Sequence, residues 1–211
     1  MRQMISMRRL GSKSRLLGAA MVAALLPAAC ANPFDTSVEN PNAVVEEALG
    51  DPAGATTLVN GQGASVTRAL TGIAGVYAVA SDEMTWTGSR EYWKTLDDGD
   101  IADPVNEYAD GGFPYVAEAR WLSDYTIARV TEFNTAGTLR NKKDLARANI
   151  YGAIIYATIG EMFDDFVVAS DRTVSADPVG VANMGVMFDS AVAMTTRALT
   201  LVQTGGVAVD A

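Results

Sequence analysis

The chain has no histidine and a single cysteine among its 211 residues. Without histidine there is no Ser-His-Asp or Cys-His nucleophile pair and no histidine-based zinc site. Catalysis would have to rest on carboxylates, Lys or Tyr. One cysteine cannot close a disulfide within the chain. Basic residues are also few, 16 Lys and Arg against 25 Asp and Glu, which gives a formal net charge of −9. Nucleic-acid binding depends on neutralising phosphates with Lys and Arg, so this balance excludes it. No Gly-rich phosphate loop is present: Gly61-Gln62-Gly63 lacks both the flanking strand and the spacing. No apolar run is long enough to form a stable membrane span. The run Leu16–Leu26 has 11 residues, and as a helix it reaches roughly 16 Å against about 30 Å of hydrocarbon.

What is there begins with that same run. Arg2, Arg8, Arg9, Lys13 and Arg15 precede it without any acid, and the small Ala28 and Ala29 follow it. A basic start, a short apolar stretch and small residues at its end are the parts of an export signal. The lone cysteine, Cys30, sits directly behind them. The segment resembles a bacterial lipoprotein signal, in which a lipobox ends in the cysteine that becomes the mature N-terminus and carries palmitate-type acyl chains. Leu26 stands one place early for that box, and Pro27 occupies its slot. An ordinary cut after Ala31 is the alternative, because Ala29-Cys30-Ala31 also reads A-x-A. Lipidation gives a lone cysteine in an oxidising compartment a reason to exist, and more than one acyl chain anchors stably. Residues 1–29 are thus assigned to a signal peptide, 30–50 to a tether and 51–211 to a helical domain. Removing residues 1–29 takes away five positive charges and no acid, so the net charge moves from −9 to −14. The remaining 182 residues suit one domain with a core large enough to fold without disulfides.

The body reads as all-α, with antiparallel helix pairs and long loops. Residues 43–49 have room for two helical turns. Asp51-Pro52 reads as an N-cap followed by proline at the first helical position. Leu58, Val59, Val66, Ala69, Leu70, Ile73, Val76 and Tyr77 recur at helical spacing behind it. The pattern predicts a helix from Pro52 to Asp82, weakened by Gly61, Gly63, Gly72 and Gly75. Residues 84–113 read as a long loop with two aromatic clusters and a run of acids. Further helices are predicted over 114–133, from Asn141 or Asp144 to Phe163, and over 180–203, the last stopped by Gly205-Gly206. The final pair carries a tetratricopeptide-like signature. Tyr156, Ile159, Gly160 and Phe163 fit its first helix; Phe188, Ala191, Ala198 and Leu199 fit its second. Thr195 stands where the repeat has an aromatic, and the loop between the helices exceeds the repeat's. An ordinary amphipathic pair is the alternative.

Several pieces fall in one order: Cys30; Asn40-Pro41-Asn42; Asp51-Pro52-Ala53; Leu58-Val59-Asn60-Gly61; Ala80-Ser81-Asp82-Glu83; Ala146-Arg147-Ala148; Gly160-Glu161-Met162-Phe163-Asp164; and Phe188 to Leu199. This order, over residues 26–206, resembles the N-terminal part of the SusD/RagB family of nutrient-binding outer-membrane lipoproteins. The resemblance implies a tetratricopeptide-like helical scaffold with a loop-rich ligand face. It also implies a position as a lid on a TonB-dependent, SusC-like transporter and binding of an oligosaccharide or other oligomeric nutrient. Family members are longer than this chain. A membrane attachment through the lipid on Cys30 goes with it, and no cofactor and no catalysis are implied. The rival expectation is an envelope scaffold lipoprotein whose helical groove binds a protein segment.

Sugar binding needs flat apolar surfaces against pyranose faces with polar groups at the rim. Trp86, Tyr92 and Trp93 lie in the long loop with Arg90, Glu91 and Lys94 between them, and they are the candidate ligand contacts. The alternative is that they fold back and cap the helical core. Trp121 falls in a helix and is expected in the core. Asp97-Asp98-Gly99-Asp100 with Asp103 invites a calcium reading, but the EF-hand spacing fails, since position 102 is Ala and no Glu closes a twelve-residue loop. No metal site is assigned. The acid pairs Asp82-Glu83 and Asp164-Asp165 fall at predicted helix ends. There Asp82 and Glu83 serve to bond backbone or cap a turn rather than to act as a glycosidase pair.

Overall fold

The computed structural model describes residues 49–169 and 176–204, all within the unit Val44–Ala211. Cys30, the tether, the bulk of the 43–49 segment and the Gly205-Gly206 stop lie outside the described residues. The described chain is all-α: α1 Ala55–Ala80, α2 Glu91–Asp97, α3 Glu107–Gly111, α4 Phe113–Thr135, α5 Lys142–Met162 and α6 Gly185–Thr204. Among the described residues the one β feature is an isolated bridge between Val167 and Pro178. No described helix is long and apolar enough to cross a membrane.

Local chemistry sets the helix ends. The Asp51 carboxylate accepts from the Ala53 N–H at 2.8 Å, the N-cap expected there, and a 3-10 turn over Pro52–Gly54 leads into α1. Asp82 takes φ 60° after α1, so the chain reverses and the Met84 N–H reaches the Ala78 carbonyl at 2.9 Å. Gly137, at φ 71°, ends α4 in the left-handed region that glycine tolerates. Asn141 caps α5 by accepting from the Lys143 N–H at 3.1 Å. Helix α6 begins at Gly185, behind a 3-10 turn over Val181–Asn183, rather than at Gly180. Gly180 itself is at φ 86°, a conformation outside the helix.

The cross-contacts fix the directions. Arg68 pairs with Glu118 and Gly72 faces Tyr115, so α1 and α4 are antiparallel. Thr56 meets Asp144 and Asn60 meets Arg147, so α5 runs parallel to α1. Gly160 meets Phe188 and Gly152 meets Met194, while Asn149 meets Arg197, so α6 returns antiparallel on α5. Helix α5 packs on both α1 and α4, and α6 packs on α5. The main core gathers Val66, Ile73, Val116, Ile155, Ile159 and Met187.

Glycines in these helices play opposite parts. A Cβ on Gly160 would lie 2.8 Å from the Phe188 ring, whereas Gly61 has nothing within 4 Å. Replacing Gly61 with Ala should therefore stabilise the fold by about 0.5–1 kcal/mol through helix propensity. Gly160→Leu should cost about 1–3 kcal/mol through overpacking. Urea unfolding of the two variants checks the signs, and equal effects would refute this packing.

One polar network stitches α4 to α5. Arg120, with a side chain only 4% exposed, donates to the Asp124 carboxylate at 2.8 Å and to the Ala169 carbonyl at 2.7 Å. The Tyr156 hydroxyl donates to the same carboxylate at 2.9 Å. Burial raises Asp124 above its ordinary value, against the lowering exerted by Tyr156 and Arg120. Burial and then the Asp124 charge hold the Tyr156 hydroxyl well above its ordinary 10.0. A tyrosine whose folded pKa is raised binds more protons folded than unfolded at alkaline pH. Its stabilisation is complete below about pH 10 and is lost as pH rises further. Tyr156→Phe should cost about 1–3 kcal/mol at neutral pH, because Asp124 loses a donor. It should also flatten the loss of stability above pH 10, as read by denaturation at stepped pH. An unchanged alkaline slope would remove Tyr156 from that role.

Candidate functional site

Residues 81–112 interrupt the α1–α4 hairpin. The stretch is not the single long loop expected, because it holds α2 and α3. Local signals build them. Lys94 reaches Asp98 at 2.6 Å, one helical turn on. Asn106 caps α3 by accepting from the Tyr108 and Ala109 N–H groups at 3.1 and 3.3 Å. The apolar periodicity that reveals long helices is too short here to register.

Tyr92 and Trp93 therefore stand on α2, with Trp86 on the segment leading to it. The rings of Trp86 and Trp93 stack at 5.5 Å with planes 23° apart. Trp93 continues onto Tyr108 at 5.0 Å. Arg90 closes the row, donating to the Tyr108 hydroxyl at 2.8 Å; this bond raises the Arg90 pKa. The row rests on α1 at Gly75, where a Cβ would sit 3.2 Å from the Trp93 ring. Gly88 lies so close to the Trp86 ring that a Cβ would stand 2.2 Å away, so any side chain there would displace the indole. Tyr92 is apart from the row and 39% exposed, while its carbonyl accepts from the Asn106 side chain at 2.9 Å. Asn106 itself is 1% exposed. The Trp86 indole N–H is buried without a partner among the described residues.

Beside the row, the insert and the C-terminal ends of α1 and α5 enclose a pocket of about 370 Å³. Ile73, Tyr77, Leu96, Ile101, Met162 and Phe163 line it, with Glu161 at its edge. Leu96 is fully buried. Sequence reasoning did not find this pocket, since its walls come from four segments far apart in the chain. The only signal was Leu96, an apolar residue set among acids.

Trp121 is a correction. It is half-buried rather than in the core and stacks on Tyr125 at 5.4 Å. The buried stripe of α4 runs through Val116, Ala119, Ser123, Thr126 and Val130, and position 121 falls on its flank. The acid run Asp97-Asp98-Gly99-Asp100 forms the end of α2, with Gly99 at φ 84°. Among the described residues no group of three or more acids is placed to hold a metal ion. Asp82 turns the chain after α1, and Asp165 accepts from the Phe166 and Gly180 N–H groups at 2.8 and 2.7 Å. Comparison of the chain with protein-family models, with curated proteins and with solved structures finds no match in any of the three.

Proposed function

We propose that the protein is a lipid-anchored outer-membrane receptor that captures an oligomeric nutrient, a glycan, and passes it to a TonB-dependent, SusC-like barrel. One observation carries the reading. A ring-bearing insert interrupts the first hairpin of an up-down-up-down helical stack. A regular stack supplies a rigid base, and the irregular insert supplies aromatic faces with polar edges, the surface that pyranose rings need. Tyr92 and the outer face of the Trp86–Trp93 row are the contact surface in this reading. The scaffold is tetratricopeptide-like: α1 with α4 and α5 with α6 are the hairpins, and α5 lies along α1 as one repeat lies on the next. Capture and handover need no catalysis. Tethering through Cys30 keeps a weak site at high effective concentration near its transporter.

A second reading draws on a different observation. Ile150, Ile154, Phe188 and Val192 form an exposed apolar channel of about 470 Å³ between α5 and α6. An envelope scaffold would hold the apolar face of a helical protein segment there.

Two measurements test the first reading. Cys30→Ser should move the protein from the membrane fraction to the periplasmic or secreted fraction. Tyr92→Ala and Trp86→Ala should each weaken binding to glycans retained on an array by about 2- to 10-fold, the worth of an aromatic contact. Circular dichroism should remain native. Unchanged glycan affinity in both ring variants would overturn the site, and an unmodified mature N-terminus beyond Cys30 would overturn the anchor.

A further inference from the structure

We propose that the pocket under the insert is a separate binding site for an amphiphile with an apolar body and a cationic ammonium head. Its volume, about 370 Å³, falls in the range of small-molecule sites. Its walls are aliphatic and aromatic, and no Lys or Arg lines it. Its charge has one sign. The C-terminal ends of α1 and α5 both open onto it, and a helix C-terminus is the negative end of the helix dipole. Glu161, at the edge, has no ion-pair or hydrogen-bond partner among the described residues. The chain segments that form the walls are each flanked by an acid: Asp82, Asp97, Asp100, Asp110 and Asp164. The nearest cation along the insert, Lys94, is neutralised by Asp98, whose carboxylate raises the Lys94 pKa. An apolar ligand gains from burial here at roughly 0.8 kcal/mol per CH₂. An ammonium at the mouth gains further from the charge, and a carboxylate or sulfate loses.

The pocket is distinct from the ring row, so the two sites fail separately. The probes are n-octylammonium, n-octanol and octanoate, titrated calorimetrically into the full-length protein at low salt. Saturable one-site binding is expected in the order ammonium, alcohol, carboxylate. The ammonium should lead the alcohol by about 3- to 10-fold, a margin that salt erodes because the charges are exposed. Glu161→Gln should narrow that margin and leave n-octanol unchanged. Ala80→Phe, which fills the pocket, should abolish binding of all three. Ile101→Ala, at a residue 62% exposed and so safe for folding, should weaken all three. Tyr92→Ala should leave octylammonium binding intact. Octanoate binding as tightly as octylammonium overturns the proposal. So does the absence of saturable binding by a natively folded protein, or unchanged affinities in Ile101→Ala.

Discussion

The approach of α5 to its neighbours is the constraint on which the rest of the molecule depends. This helix packs on α1, α4 and α6, and it comes close because small residues face each partner. Ala148 is fully buried, Gly152 leaves room for Ile127 and Met194, and Gly160 leaves room for the Phe188 ring. A side chain at either glycine would push an entire helix outward. The missing atoms at Gly152 and Gly160 let Ile127 of α4 and Met194 and Phe188 of α6 close over α5, while Ile155 and Ile159 of α5 itself fill the core between them. Everything attached to α1 then inherits its position from this seat.

Small, smooth surfaces slide, and polar ties oppose the sliding. Asp144 is buried yet accepts from Thr56 at 2.6 Å, and Gln62 donates to the Ala148 carbonyl at 2.9 Å. These two fix α1 against α5. Arg197 donates to Asn149 at 2.9 Å and fixes α6, while Arg120, Asp124 and Tyr156 fix α4. Each buried polar group carries a desolvation cost that only one register satisfies. Displacing a helix by one turn would take Thr56 from the buried Asp144 carboxylate, or Tyr156 from Asp124, and the donor lost would have to be made good elsewhere.

Much of this was legible in the sequence, and the boundary of legibility is physical. Four long helices announce themselves by apolar spacing, and Asp51 and Asn141 announce their caps. Gly160 and Ala191 point to a close helix pair, which α5 and α6 form. The insert is different. Helix α2 has seven residues and buries one side chain, Leu96, so it lacks a stripe to read. Its stability comes from Trp93 lying on Gly75 and from Asn106 bonding the Tyr92 backbone, contacts between positions far apart in sequence. Trp121 shows the reverse error: hydrophobicity suggested burial, while its angular position on α4 sets it on the flank. The pocket was invisible for a related reason, because a cavity belongs to the packing of segments and to no segment alone.

The charge of the insert ties the two proposed sites together. Residues 81–112 hold nine acids and only two bases, a net charge of −7, half of the −14 assigned to the body after signal removal. Across a surface this small, most of these charges lie within a few Debye lengths of each other, about 8 Å at physiological ionic strength. Their potentials therefore add rather than act singly. An acidic glycan would meet that field before it met a tryptophan, and an anionic lipid headgroup would be repelled in the same way. Neutral oligomers at the proposed ring-row site and ammonium heads at the proposed pocket site are the ligands such a field would favour. The same acids that argue against nucleic acid thus select the chemistry of what the insert can hold.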